Sequence, residues 1–515
     1  MNRILLALLL FAPIVFTAQS FSWVQTPPIT FGLNPDFIGY TTAVDGLGNV
    51  YFSGFKDEAF PYDTILGNVY YNKYGPSGAL LFSKTISGHV TVFNMTADHD
   101  GNILVAFAYV GAIAIDTFAL ATVSQDVQPL LVKFAPDGTM LWYYRPAVGE
   151  SVAAQFRAID IDSDNNIYIG YDDFLASYIT KLAPSGTAVM TITQENVRSV
   201  SSISVDKAGN IYSAGACAEW NAKYAGVEMP APFVYNTYIA KYNASGAYQW
   251  MKYVEDITCP QPQVKAYAPD TVYFSSYLFG PFMFDAIQAQ GPSGSNSFSD
   301  VFITKLDAEG NFQWVREVPD QGQLAPGSRN AMDIDAEGNL YFAGRIEGNI
   351  SWTDNITTAT TGFNSDAIVL KYNPAGDVTM VAVAGGNSED RFDSVSVSDS
   401  GAIYLSGMCS GDASFGSITR NAPEFSYYPV LAKVEQVLAT ENNATETFTI
   451  YPNPVSDYLH VRGINRVLSG TMYNLLGMKV KQFEISETRP IDMRDLPTGM
   501  YFVKIGNSTL KVLHQ

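Results

Sequence analysis

Short runs of alternating apolar and polar residues, each closed by a turn signal, recur along most of the chain. In 331–342 the order Ala-Met-Asp-Ile, Asp335-Ala-Glu-Gly338, Asn-Leu-Tyr-Phe predicts two antiparallel strands around a tight turn. Asp in the first turn position and Gly in the fourth suit a type I turn. The phrase "DAEGNLYFAG" (335–344) has relatives in "DGLGNVYFSG" (45–54), "DKAGNIYSAG" (206–215) and "DSDNNIYIG" (162–170). A second hairpin phrase, "FITKLDAEGNFQW" (302–314), returns as "YIAKYNASGAYQW" (238–250) and in looser forms elsewhere. Lys73, Lys133, Lys181, Lys241, Lys305, Lys371 and Lys433 count its copies, at spacings of 48 to 66 residues. Asp45, Asp98, Asp162, Asp206, Asp335 and Asp399 mark the first phrase in six of them, and 267–277 holds a worn copy.

Two hairpins per copy make four strands, so seven copies predict an all-β seven-bladed β-propeller. The last copy stops after Lys433 and lacks a fourth strand. The missing strand stands at the other end: Phe21-Ser22-Trp23-Val24 matches Phe312-Gln313-Trp314-Val315. Closure of the ring by the N-terminal strand accounts for both facts. The copies resemble the β-propeller repeats of secreted bacterial proteins, over roughly 21–435. That resemblance implies a fold and no common activity.

The composition changes at the C-terminus, where "FTIYPNPVSDYLHV" (448–461) precedes "GTMYNLLGMKV" (470–480) and "IDMRDLPTGMYFVKI" (491–505). Tyr451, Pro452, Asn453, Pro454, Gly477, Leu496, Pro497, Gly499 and Tyr501 fall in the order of a type IX secretion system C-terminal sorting domain, which 448–515 resembles. The resemblance implies a small β-sandwich, the type IX machinery as partner, and export to the outer surface or medium. Residues 436–447 read as a polar linker. The N-terminal "MNRILLALLLFAPIVFTAQS" (1–20) reads as a signal peptide: Arg3, a short apolar run, then small residues. No other stretch is apolar enough to span a membrane as a helix.

Composition narrows the partners. A formal net charge of −20 argues against nucleic acid and anionic membranes. Of three cysteines, Cys217 and Cys259 share a repeat and could bridge, while Cys409 reads as a buried small apolar residue.

Chemistry is sparse. His89, His99, His460 and His514 are the only histidines, and no G-x-S-x-G elbow, HExxH, CxxC or P-loop occurs. "DHDGN" (98–102) and "DSDNN" (162–166) resemble the start of a calcium loop but read as hairpin turns. No cofactor or metal is indicated. The repeat Asp and Lys approach one face of the disc and are expected to pair. The variable strand 2–3 and 4–1 connections share the other face, where function is expected. Trp23, Trp142, Trp250 and Trp314 fill a repeat slot and are expected in the core. Tyr62, Phe284, Trp352 and Phe415 recur at one offset and are expected to pack. Only Trp220 has no counterpart, and it is the candidate contact for a glycan or protein ligand. The acid pairs Asp57–Glu58 and Asp172–Asp173, just after strand 2, are further candidates. The favoured reading is an exported binding or adhesion module. The alternatives are a carbohydrate-active hydrolase or lyase using loop carboxylates, and a structural surface protein.

Overall fold

The computed structural model describes residues 19–27, 39–55, 67–121, 127–146, 155–173, 175–256, 261–292, 300–319, 322–360, 365–423, 426–436, 449–462, 468–474, 478–486, 489–505 and 508–515. They fall into two compact units, one within Phe16–Val437 and one within Leu438–Gln515. Every regular element among them is a strand.

The larger unit is a seven-bladed propeller. Strands are numbered outward from the axis. Blade 1 comprises Thr41–Val44, Val50–Phe55, Gly67–Tyr74 and the first part of Leu80–Ala97. The rest of that strand opens blade 2, with Ile103–Ile115, Gln128–Phe134 and Met140–Tyr144. Blade 3 is Gln155–Ile161, Ile167–Asp172, Ala176–Leu182 and the start of Ala188–Val205. The end of that strand opens blade 4, with Ile211–Tyr224, Asn236–Tyr242 and Tyr248–Glu255. Blade 5 is Gln263–Ala268, Thr271–Leu278, Asp300–Leu306 and Phe312–Arg316. Blade 6 has a first strand broken into Gln323–Pro326 and Met332–Ile334, then Leu340–Glu347, Asp366–Tyr372 and Val378–Gly386.

Blade 7 joins the two ends of the unit. Arg391–Val397, Ile403–Ser410 and Tyr427–Gln436 are completed by Gln19–Gln25, with Phe21 opposite Val434 and Val24 opposite Ala432. Phe21 and Val24 are buried against Phe415 and Val430. Closure leaves no unpaired inner seam.

The repeated polar residues explain how the blades register. In blades 1, 2, 3 and 6 the lysine pairs with the turn Asp of its own blade: Lys73–Asp45 at 3.5 Å, Lys133–Asp98 at 2.7 Å, Lys181–Asp162 at 3.3 Å and Lys371–Asp335 at 3.1 Å. Repeat lysines also reach across a seam to a carbonyl in the next blade's 3–4 turn. Lys73 donates to Pro136 at 3.0 Å, Lys241 to Ala308 at 2.9 Å, Lys305 to Pro374 at 3.4 Å and Lys433 to Pro76 at 3.3 Å.

The strand 4 tryptophans use the same acceptors. Trp23 donates to Pro76 at 3.0 Å, Trp142 to Pro184 at 3.1 Å, Trp250 to Ala308 at 2.9 Å and Trp314 to Pro374 at 3.2 Å. Each indole lies against the turn glycine of the next blade. A Cβ on Gly310 or Gly376 would stand 2.7 Å from the ring, and both glycines have φ near +84°. Glycine there serves both the left-handed turn and the close approach. Of the four tryptophans the repeat slot assigned to the core, Trp314 is buried in it, while Trp23, Trp142 and Trp250 are partly buried and pack on its edge. All four cover a seam, the last three from the rim.

One assignment shifts. The residue that caps the turn of blade 7 is Ser398, not Asp399: its Oγ accepts from Ala402 N at 3.0 Å. The turn needs only an acceptor, so Ser suffices. Without the acid, Lys433 pairs with Glu435 at 2.5 Å instead. After strand 2, small hairpins carry Phe284, Trp352 and Phe415, all buried, as their shared offset predicts. Tyr62 lies outside the described residues.

The tail is a β-sandwich. Thr449–Tyr451, Tyr458–Arg462 and Ile491–Asp492 form one sheet, and Lys479–Ile485, Leu468–Asn474, Gly499–Ile505 and Ser508–His514 the other. Leu459, Val461, Met472, Val503 and Val512 fill the space between.

The seam geometry predicts a stability contrast. Trp250→Ala removes a hydrogen bond and uncovers Gly310, and is expected to cost about 3 kcal/mol. Trp220→Ala touches no seam and is expected to stay within about 0.5 kcal/mol. Thermal unfolding of the two variants checks this.

Candidate functional site

With the 1–2 and 3–4 turns occupied by seam contacts, the opposite face carries the variable connections and the wide end of the central channel. Strand 1 of each blade lines that channel. In blades 2, 3, 4 and 7 strand 1 slips register at the same place, five residues before the turn residue: at Phe93, Arg157, Ser201 and Asp393. A bulge leaves one residue unpaired and re-aims its side chain. In blade 6 the equivalent Asn330 lies in the break between the two pieces of strand 1.

Phe93, Arg157, Ser201 and Asn330 border a cavity of about 20 Å³, room for one water-sized group. Phe93, Arg157, Ser201, Ser202, Arg329 and Asn330 line it. The Phe93 ring lies 5.2 Å from Arg329 Cζ and 6.0 Å from Arg157 Cζ. Arg157 faces Asp172 at 3.5 Å. Arg391 donates to Asp393 at 3.0 Å, and Asp393 also accepts from Ser328 Oγ at 2.8 Å and Tyr40 N at 3.2 Å. Arg329 Nη1 donates to the Ser328 carbonyl at 3.0 Å, while its buried Nε meets no acceptor among the described residues. Enclosure by protein, with Arg157 and Arg391 nearby and only Asp393 opposing, pulls Arg329 down to about 10.

Deeper in the channel, polar side chains tie neighbouring first strands. Asp160 accepts from Ser204 Oγ and Val205 N, Ser204 Oγ accepts from Ala266 N, and Asp333 holds Lys265 and Val397 N. This is scaffold.

A second feature of the same face lies on blade 4. Trp220 is 76% exposed on the extended strand Ile211–Tyr224. It lines a groove of about 470 Å³ with Arg198, Cys217, Glu219, Phe233, Val234 and Tyr235. Val234 and Tyr235 are also exposed, and Arg198 pairs with Glu219 at 2.5 Å. Cys217 is disulfide-bonded and has φ 59°; Cys409 is free and buried; Cys259 lies outside the described residues.

The other candidates separate. Asp57 and Glu58 lie outside the described residues. Asp172 is buried, and burial pushes its carboxyl up to about 6 although Arg157 pulls the other way. Asp173 caps the short 2–3 link, accepting from Leu175 N, Ala176 N and Tyr178 Oη. The two acids thus point to different partners. Asp98 and Asp162, in the calcium-like stretches, accept from Asn102 and Asn166 and from their lysines. Arg157, Arg329 and Arg391 were not singled out in the sequence. A signal was available for Arg157 alone: it holds the position five before the turn residue, which reads Tyr40, Phe93, Arg157, Ser201, Pro262, Asn330, Asp393 and never repeats, whereas Arg329 and Arg391 stand just before that position in their blades.

In the tail, Tyr451 to Pro454 form an exposed segment. Asn453 is fixed by donating to Lys511 O and accepting from Leu513 N, both at 2.9 Å. Tyr501 Oη and His514 meet the Pro497 carbonyl at 2.6 and 3.1 Å, so the second half of the motif clasps the last strand. Gly477 lies outside the described residues.

The larger unit is thus a β-propeller and the smaller one a β-sandwich. Residues 449–515 match the family described as "Secretion system C-terminal sorting domain". The chain is an exported β-propeller protein with a type IX sorting domain at its C-terminus, destined for the cell surface or the medium. A comparison with curated proteins found no match. Among solved structures the chain is similar to a catalytically inactive virginiamycin B lyase from Staphylococcus aureus, at 11% identity, covering 80% of this chain and 98% of that one, TM-score 0.39. It is also similar to the Neurospora crassa Pan2 WD40 domain, at 10% identity, covering 81% and 96%, TM-score 0.38. No helix among the described residues is long and apolar enough to cross a membrane.

The buried acids predict a pH dependence. Burial raises Asp172 and Asp300 to about 6 and Asp390 to about 7. Folded states that hold these protons lose stability as pH rises from the ordinary carboxylate range to about 7. For Asp98 and Asp335 burial works upward, but hydrogen bonds and the lysines outweigh it and the carboxyls end below their usual range. Their contribution is lost only as pH falls below that range. The denaturation midpoint is therefore expected to be higher at pH 5 than at pH 8, and Asp390→Asn to reduce the difference.

Proposed function

We propose that the protein is an exported binding module that holds a glycan against Trp220 in the blade 4 groove. The observation that carries this reading is Trp220 itself. It is a large aromatic side chain, off the repeat pattern, 76% exposed, and set beside Tyr235 on a strand whose Cys217 is disulfide-bonded. Leaving a tryptophan in water forgoes a burial worth about 2–3 kcal/mol, which stacking on a sugar ring recovers. The groove, at about 470 Å³, falls within the range of ligand sites, and Arg198 and Glu219 supply hydrogen-bonding groups beside the ring. In this reading residues 1–20 are a signal peptide, 21–435 the propeller, 436–447 the linker and 448–515 the sorting domain.

A glycan array probed with the full chain and with Trp220→Ala tests the reading. Saturable binding to some glycan, weakened about tenfold or more in the variant, is expected. Consumption of a bound glycan would move the case to a hydrolase or lyase. Absence of binding to every glycan would sink the glycan reading and leave a protein partner or a structural surface role.

A further inference from the structure

We propose that the mouth of the central channel binds a single carboxylate, held by Arg329 and Arg157 at the end of a ligand that stands on the loop-bearing face. The site is separate from the Trp220 groove and does not depend on it.

Two guanidinium groups, Arg157 and Arg329, line the cavity, and a third, Arg391, is near enough to repel Arg329. Among the described residues the acids facing them are Asp172, Asp393 and Glu389, and Glu389 also serves Arg345 at 2.7 Å. Asp393 already accepts from Arg391, Ser328 and Tyr40. Asp172 faces Arg157 alone among these cations. That leaves Arg329 with no ion pair among the described residues and a buried Nε without an acceptor. An enclosed charged donor left unsatisfied is costly, and an oxyanion is the group that relieves it. The surplus arises in a chain whose formal net charge is −20, so it is a local feature and not a reflection of composition.

Geometry then selects the ligand. Phe93 backs both Arg157 and Arg329, orienting their planes from one ring. Gly39 lies so close that a Cβ there would stand 2.5 Å from Arg329 Cζ, which fixes the guanidinium from the other side. A planar fork held this way suits a planar two-oxygen acceptor. A cavity of about 20 Å³ admits one small group and no more, so the rest of the molecule remains outside. One unpaired cation matches one negative charge. Two sources carry that chemistry: the carboxylate of a uronic acid, or that of a peptide C-terminus.

Isothermal titration of the full chain with acetate, D-glucuronate, N-acetylglycine and neutral glucose tests the proposal. Acetate is expected to bind saturably and glucose not. Arg329→Gln is expected to weaken acetate about tenfold or more, Arg329→Lys to retain part of the binding, and the surface variant Lys207→Gln to change nothing. Tighter binding of glucuronate than of acetate points to uronic acids, and tighter N-acetylglycine to a peptide end. If Arg329→Gln does not fold, the melting temperature of the unmodified chain decides: acetate is expected to raise it above an equal concentration of chloride. No saturable acetate binding, unchanged affinity in Arg329→Gln, or an equal shift with chloride overturns the proposal.

Discussion

The propeller depends on a shared acceptor that recurs at four of its seams among the described residues: a carbonyl in the 3–4 turn that takes hydrogen bonds from the lysine and the tryptophan of the preceding blade. At Pro76 these donors are Lys433 and Trp23, which come from opposite ends of the unit. At Ala308 they are Lys241 and Trp250. The lysine ammonium also rests over the repeat tyrosine, as Lys73 does over Tyr51 at 5.0 Å. A largely buried ammonium is tolerable only when its donors are used, and here they are used within one blade and across to the next. Such a contact contributes little net stability, since desolvation offsets it. It fixes which blade sits where. The closing seam repeats the lysine and tryptophan contacts of the inner ones.

This constraint divides the two faces. Turn residues on one side cannot vary without losing a seam contact, so that side is uniform. The other side carries no such contact and differs from blade to blade. Between them, the bulge in strand 1 is a fixed backbone device with a free side chain. The same slip presents Phe93, Arg157, Ser201 and Asp393 to the channel in turn. A repeated scaffold thereby builds an asymmetric site without changing its backbone plan.

What was legible in the sequence follows from the same division. The repeat lysines, turn acids and glycines were visible because each performs one seam task in several blades. The departures are also physical. Met380 stands in the slot that Trp314 fills in blade 5, and the blade that follows it has no 3–4 turn, because its third and fourth strands come from opposite ends of the unit. No carbonyl waits there for an indole, and Met380 is simply buried. The Asp399 assignment slipped by one because a serine can serve where only an acceptor is required. Trp220 was legible because it broke the pattern. The arginines were not, because the slip at Arg157 and the strand break at Arg329 are invisible in a single sequence and the three guanidinium groups come from segments more than sixty residues apart.

Electrostatics gives the channel its weight. With 50 acidic and 30 basic side chains, a cation in this chain has acids in excess to choose from. Several scaffold cations have found one, as Lys133 has Asp98, Lys265 has Asp333 and Arg391 has Asp393. Arg329 lies on the same ring of strands and meets a phenyl ring and a glycine instead. A structural arginine in that position would be expected to recruit the nearest free carboxylate during folding, since the cost of leaving it unpaired falls on every folded molecule. The described residues around it supply none. The unpaired guanidinium therefore belongs to the part of the channel that the seam contacts leave undetermined, which is the part open to a ligand from outside.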